Sequence, residues 1–245
     1  MRNIRLTIEY DGKCYNGWQK QQNKLNIQGE IERAIEEITG EKVDLIASGR
    51  TDAGVHSLGQ VANFKTNSKI PIEKMAIAIN SQLKNSIIIK NAEEVDERFH
   101  SRYNAKQKTY RYVINNSEYG TAIYRNLQYC FPIKLDAEKM KEAAKYFEGE
   151  HDFKAFKSSG TSGKNSVRTI YKAEVRKEGD NIIIELTGNG FLYNMVRIIS
   201  GTLLDVGLGK IKPEEIPEII ESKDRQRAGR TLPAHGLYLV QVVYN

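Results

Sequence analysis

Between Ile4 and Tyr10 apolar and polar residues alternate (Ile4-Arg5-Leu6-Thr7-Ile8-Glu9-Tyr10), and Asp11-Gly12 follows. A period of two closed by a turn dipeptide predicts a strand with one buried face. Lys13 to Asn26 loses the alternation and reads as a polar loop around Gly17 and Trp18. The period then lengthens, and Ile27, Ile31, Ala34, Ile35 and Ile38 share one face of a helix that Gly40 ends. Strands are predicted over Val43 to Ala47 and Leu58 to Lys65, with a glycine-bearing loop between them. Pro71 opens a helix to about Leu83, and Ser86 to Val95 returns as a strand.

The second half has a similar outline. Lys108 to Ile114 predicts a strand with Tyr110 and Tyr112 on the same face. Leu135 to Phe147 is helical, with Met140, Ala143, Ala144 and Phe147 inward, and Ser158 to Lys164 is a polar Gly/Ser loop. Val167 to Arg176 and Ile182 to Leu186 form a hairpin around Gly179-Asp180. A strongly apolar helix from Phe191 to about Val206, a shorter one from Pro213 to Glu221 and a strand from Leu237 to Val243 complete the chain. Runs of strands with segregated helices imply an α+β fold. The expected architecture is two pseudo-duplicated halves, residues 1–105 and 106–245, with mainly antiparallel sheets flanked by helices and an active-site cleft between them.

Composition narrows the class. The 245 residues are 40% hydrophobic and 28% charged, ordinary for a soluble globular protein. No apolar run approaches the roughly 20 residues of a membrane span. Met1 to Arg5 runs into a strand pattern without a signal-peptide core. Cys14 and Cys130 stand far apart in no metal or redox spacing, so a reducing cytoplasm is expected, with one disulfide left open.

The formal net charge of +6 matters through its distribution. Arg98, His100, Arg102, Lys106, Lys108 and Arg111 follow one another without an acid, interleaved with Phe99, Tyr103 and Tyr110. A second basic stretch runs from Lys154 to Lys177, and a third from Lys223 to Arg230. Cations that neutralise phosphates and rings that stack on unpaired bases suit nucleic acid; solvated strand faces with inward tyrosines are the plain alternative.

The chemistry concentrates in Ser48-Gly49-Arg50-Thr51-Asp52-Ala53-Gly54-Val55-His56, which packs a guanidinium, a carboxylate and an imidazole between two strands. Gly49 and Gly54 allow tight bends there. An aspartate that merely caps its own turn is the competing reading of Asp52. The histidines His56, His100, His151 and His235 have no ligand spacing, so no metal site is expected. Gly160-Thr161-Ser162-Gly163-Lys164-Asn165 departs from a phosphate loop in its close glycines and in Asn165 where a hydroxyl should bind magnesium.

Five blocks in order give a resemblance nearly end to end to the TruA-type tRNA pseudouridine synthases. They are Tyr10-Asp11-Gly12 with Gly17-Trp18-Gln19; Gly49 to His56; Lys108-Thr109-Tyr110-Arg111-Tyr112; Gly190 to Arg197; and Pro233 to Leu237. Ser57 and Asn63 are small departures after the loop. The resemblance implies isomerisation of uridine to pseudouridine in the anticodon stem–loop of tRNA, at positions 38, 39 and 40, after the target base is flipped out. It implies Asp52 as the catalytic carboxylate, Arg197 as the partner that keeps it ionised, Tyr110 as the ring stacking on the base, and Arg50 as a contact to RNA. No redox cofactor, nucleotide cofactor or metal is implied. A homodimer cradling tRNA is expected, with no membrane partner. An RNA-binding module lacking activity is the competing class; the presence of Asp52, Tyr110 and Arg197 favours the enzyme.

Overall fold

The computed structural model describes residues 1–159 and 165–244; the glycine-rich stretch from Gly160 to Lys164 lies outside them. In chain order the strands and helices are β1 (Arg2–Tyr10), α1 (Ile27–Thr39), β2 (Ile46–Ala47), β3 (His56–Thr66), α2 (Ile72–Asn80), β4 (Ile87–Val95), β5 (Gln107–Asn115), β6 (Tyr129–Cys130), α3 (Ala137–Ala144), β7 (Gly149–Asp152), β8 (Val167–Glu178), β9 (Asn181–Gly188), α4 (Met195–Gly207), α5 (Ile216–Ser222) and β10 (Leu237–Val243). Antiparallel pairing predominates and helices flank the strands, so the fold is α+β. The chain forms two compact units: Met1–Lys106 with Tyr238–Asn245, and Gln107–Leu237.

In the first unit β1 lies between β3 and β4, antiparallel to both, and β2 pairs with β3. The alternation of β1 does what it predicts. Ile4, Leu6 and Ile8 are fully buried and pack with Ala62 and Phe64 of β3, Ile31 and Ile35 of α1, and Met75 and Ile79 of α2. Asn26 caps α1 by accepting the Gly29 N–H, and Gly40 ends it in the left-handed conformation at φ 72°. Strand β10 returns from the far end of the sequence and pairs parallel to β3, Tyr238 opposite His56 and Leu239 opposite Ser57. Ser57 Oγ donates to the Leu239 carbonyl at 3.0 Å.

In the second unit β5 pairs antiparallel with β9, which pairs with β8, which pairs with β7. Met140, Ala143 and Ala144 of α3 are buried with Phe147, Phe153 and Phe156 and with Ile170 and Val175 of β8. Helix α4 is buried almost all round. It starts at Met195, later than the apolar pattern suggests, because Asn194 takes a left-handed φ of 61° and breaks the helical run before it. Cys14 and Cys130 are both free thiols.

Candidate active site

The loop carrying Asp52 enters from β2 and leaves into β3. Its turn closes with the Val55 N–H on the Asp52 carbonyl at 3.1 Å, and Gly54 supplies a φ of 78° that a side chain would resist. This much is the local turn chemistry that the sequence suggests. The loop is also tied from outside on both flanks of Asp52. The Tyr10 and Thr51 hydroxyls lie 2.7 Å apart in a buried setting. Trp18 N–H donates to the Thr51 carbonyl at 3.0 Å, and Gly12 N–H donates to His56 Nδ1 at 3.1 Å. Gln60 accepts from Ser48 Oγ and donates to the Gly49 carbonyl.

The first motif of the chain, Tyr10-Asp11-Gly12 with Gly17-Trp18, is thus the clamp on the second. Its glycines are needed for contact with the loop. A Cβ on Gly12 would fall 2.0 Å from the Val55 carbonyl oxygen, and one on Gly17, which has φ +84°, would fall 2.5 Å from that of Thr51. His56 is buried, with its ring stacked on Tyr238 at 4.9 Å. Asp11 Oδ1 lies 3.1 Å from His56 Nδ1. Burial pushes the Tyr10 phenol up to about 12, the bond from Thr51 opposing this only in part.

Asp52 itself is half-buried and Arg50 exposed, both on this loop of the first unit. Tyr110 and Arg197 belong to the second unit. Tyr110 sits half-buried on β5, opposite Leu186, with Phe191 edge-on at 5.1 Å. Phe191 precedes the start of α4. Arg197, half-buried in the first turn of α4, donates from Nε to the Leu232 carbonyl at 2.7 Å and from one terminal nitrogen to Asn194 Oδ1 at 2.8 Å. Both bonds fix the orientation of its guanidinium at the start of a largely buried helix. Two residues after Tyr110, the buried Tyr112 donates to the Pro233 carbonyl at 2.7 Å, with Gly236 directly against its ring. The third and fifth motifs of the sequence therefore meet.

Sequence reasoning named the four candidates but missed what supports them: Tyr10, Gly12, Trp18, Gln60 and Tyr238 around the loop, and Asn194 and Phe191 in the second unit. The signal was present for Gly12 and Gly17, whose place beside an aromatic strand end asked for a close backbone approach. Among the described residues no group of three or more His, Cys, Asp or Glu side chains could hold a metal ion. No helix among them is long and apolar enough to cross a membrane.

A family model described as tRNA pseudouridine synthase matches residues 6–104 and 143–245, which include Asp52 and Arg197. The tRNA pseudouridine synthase A of Acetivibrio thermocellus is 58% identical over 244 residues, covering 100% of both chains. That of Caldicellulosiruptor saccharolyticus is 59% identical over 244 residues, again 100% of each. The crystal structure of a Cbf5-Nop10-Gar1 complex matches 82% of this chain and 54% of that one at 14% identity and a TM-score of 0.37, too distant to bear on the argument. With a family match over most of its length and relatives aligned from end to end, this chain belongs to the tRNA pseudouridine synthase family, whose members are isomerases.

Proposed function

We propose that the protein isomerises uridine to pseudouridine in the anticodon stem–loop of tRNA, at positions 38, 39 and 40, with Asp52 as the catalytic carboxylate. The observation that carries this reading is the carriage of the Asp52 loop, supported by full-length relatives named for the activity. Side chains and backbone groups from β1, the following loop and β3 fix both flanks of one aspartate. A turn aspartate with only a capping role needs no such clamp.

In the reaction the bond from ribose C1′ to uracil N1 breaks, the base turns, and C1′ bonds to C5, whose proton leaves to solvent while N1 takes one up. Nothing is oxidised or reduced overall, so no redox or nucleotide cofactor is needed. An ionised carboxylate suits the task because it can add to an electron-poor carbon and later depart. Arg197, already oriented by Asn194 and Leu232, is assigned as the cation that keeps Asp52 ionised and aimed. Tyr110, its ring steadied by Phe191, stacks on the target base and helps to handle the C5 proton. Arg50, exposed on the loop, contacts the RNA backbone or fills the space left by the flipped base. Turning a stacked base out costs a few kcal/mol, which the basic surface offsets by its grip on phosphates. The proposed setting is a cytoplasmic homodimer.

The test is tritium release from unmodified tRNA labelled at uridine C5, wild type against Asp52→Asn, followed by mapping of the product. Release by wild type alone is expected, with tRNA affinity of the variant within several-fold, because one charge changes a large phosphate-gripping surface little. Full activity of Asp52→Asn removes Asp52 from the mechanism. No release from any tRNA, with binding intact, leaves an RNA-binding protein without this activity.

A further inference from the structure

We infer that the turn between β4 and β5, from Asp96 to Asn104, is a preformed docking element for the sugar–phosphate backbone of tRNA, with Arg98 and Arg102 as phosphate contacts and Tyr103 as a stacking face. The inference rests on tRNA being the substrate and assigns one part of the chain to holding it.

The turn is unusually well fixed for an exposed segment. Within it, Asp96 Oδ1 accepts the Arg98 N–H, Asn104 Oδ1 accepts the His100 N–H, and His100 Nδ1 accepts the N–H groups of Arg102 and Tyr103. Beneath it, Asn3 donates to the carbonyls of Asp96 and Phe99 at 3.0 and 2.9 Å. Asn63 donates to Asn3 Oδ1, and its own oxygen accepts both the N–H and the hydroxyl of Ser101. Asn3, Asn63 and Ser101 are all buried, at 2%, 3% and 0% exposure. Asn63, a departure from the family pattern, thus joins strand β3 to the turn.

This buried polar network presents two guanidiniums to solvent, after the exposed carboxylates of Asp96 and Glu97 at the start of the turn. Arg98 and Arg102 are exposed, and no carboxylate among the described residues forms an ion pair with either. Tyr103 is 75% exposed, and no other large apolar side chain of the turn is so exposed. Its ring lies 4.2 Å from that of His100, with the Arg102 guanidinium 5.9 Å from its centroid. Buried amides are costly unless every group is satisfied, and unpaired like charges repel. Stability of the first unit does not call for either. Binding does, because a surface ordered in advance loses little freedom on association.

The chemistry selects nucleic acid over an acidic protein. A protein interface needs an apolar centre, and the one large apolar ring that this turn exposes, Tyr103, stands beside the Arg102 guanidinium, the combination that meets phosphates and unpaired bases. Arg98 and His100 also line a cavity of about 450 Å³ whose other charged residues, Lys42, Asp44, Lys65 and Glu97, mix signs, so the cavity itself is no anion site and the phosphate contacts are assigned to the exposed guanidiniums. Tyr244 connects the element to the chemistry. Its hydroxyl donates to the Ser101 carbonyl at 2.8 Å and lies beside Ser48, the first residue of the Asp52 loop.

The test is equilibrium binding of an unmodified tRNA transcript across a salt series, beside the tritium-release assay on wild type. Arg98→Ala/Arg102→Ala should bind about tenfold more weakly near 0.1 M salt. Its slope of log affinity against log salt should be shallower by roughly 1.5 to 2, two phosphate contacts being lost. Arg98→Lys/Arg102→Lys should restore the slope, and Tyr103→Ala should weaken binding about fivefold or more with the slope unchanged. Lys74→Ala, on exposed α2 surface, should match wild type. Wild-type affinity and slope in the double alanine variant, with its thermal melt unchanged, overturn the inference. So does displacement of tRNA by polyglutamate as effectively as by a second RNA. Wild type that binds tRNA without releasing tritium defeats the isomerase reading alone, and the salt slope then still decides the role of the turn.

Discussion

Tyr10 is the side chain that joins the first strand to the Asp52 loop, and its hydroxyl works only as a neutral group. Fully buried and 2.7 Å from Thr51 Oγ1, it is held protonated by desolvation up to about 12, against an ordinary value of 10.0. A folded-state value above the unfolded one means stability that is complete below pH 10 and is lost as pH rises through 12. Two units at 1.36 kcal/mol each set the scale at about 3 kcal/mol. Tyr10→Phe should therefore lose about 1–3 kcal/mol at neutral pH, from the orphaned Thr51 hydroxyl, yet show a flatter decline above about pH 10. Burial raises Tyr112 and Tyr244 as well, so some alkaline slope should remain. Urea-unfolding midpoints from neutral to alkaline pH give the comparison, and a variant as steep as wild type contradicts this account of Tyr10. In turnover, the variant should lose kcat more than it raises KM, since the loop around Asp52 loosens while the tRNA-facing cations stay.

The element that organises the first unit is the turn and loop between β1 and α1, because its glycines let the backbone reach the Asp52 loop. Gly12→Ala drives a methyl into the Val55 carbonyl, where only backbone can yield. Activity should fall by at least tenfold and stability by several kcal/mol, in line with overpacking of a fixed site. Gly40→Ala is the control: its φ of +72° is strained for alanine but nothing lies within 4 Å. It should cost about 1–2 kcal/mol with activity preserved; equal losses of activity in the two variants would refute the clamp. The same contrast marks what the sequence disclosed. Features with a local cause were legible: the alternation of β1, the apolar stripe and glycine stop of α1, the hairpin at Gly179-Asp180, the charged loop around Asp52. Features satisfied at a distance were not. The strand expected from Val43 shrinks to Ile46–Ala47 because the backbone of Leu45 is taken by side chains of α1, its N–H by Glu32 and its carbonyl by Gln28. The tethers to Thr51 and His56 were invisible for the same reason. The residues that make them show nothing in their own neighbourhood of the sequence.

At the scale of the whole molecule, the chain leaves the first unit at Lys106 and comes back to it only at Tyr238. The last strand then supplies groups that nothing nearer in sequence replaces. Tyr238 stacks on His56, the Leu239 carbonyl accepts from Ser57, and the Val240 carbonyl lies where Gly59 leaves room. The Val243 carbonyl accepts the Lys106 N–H, and Tyr244 holds Ser101. Each of these contacts lands on β3, on the turn before β5 or on the end of the Asp52 loop. Parallel pairing over so long a separation forms late, because the loop-closure cost comes before the contacts that repay it. Deleting residues 238–245 should therefore act chiefly on the first unit. In hydrogen exchange, amides of β1 and β3 should lose protection by at least tenfold while those of the β8–β9 hairpin and α4 keep theirs. Tritium release should disappear even though Asp52, Tyr110 and Arg197 remain in the chain. A uniform loss of protection through both units would mean that they unfold as one cooperative block. Unchanged protection with full turnover would mean that β10 is dispensable to the loop, and that His56 and Ser57 are held well enough by β1 and the Gly12 turn alone.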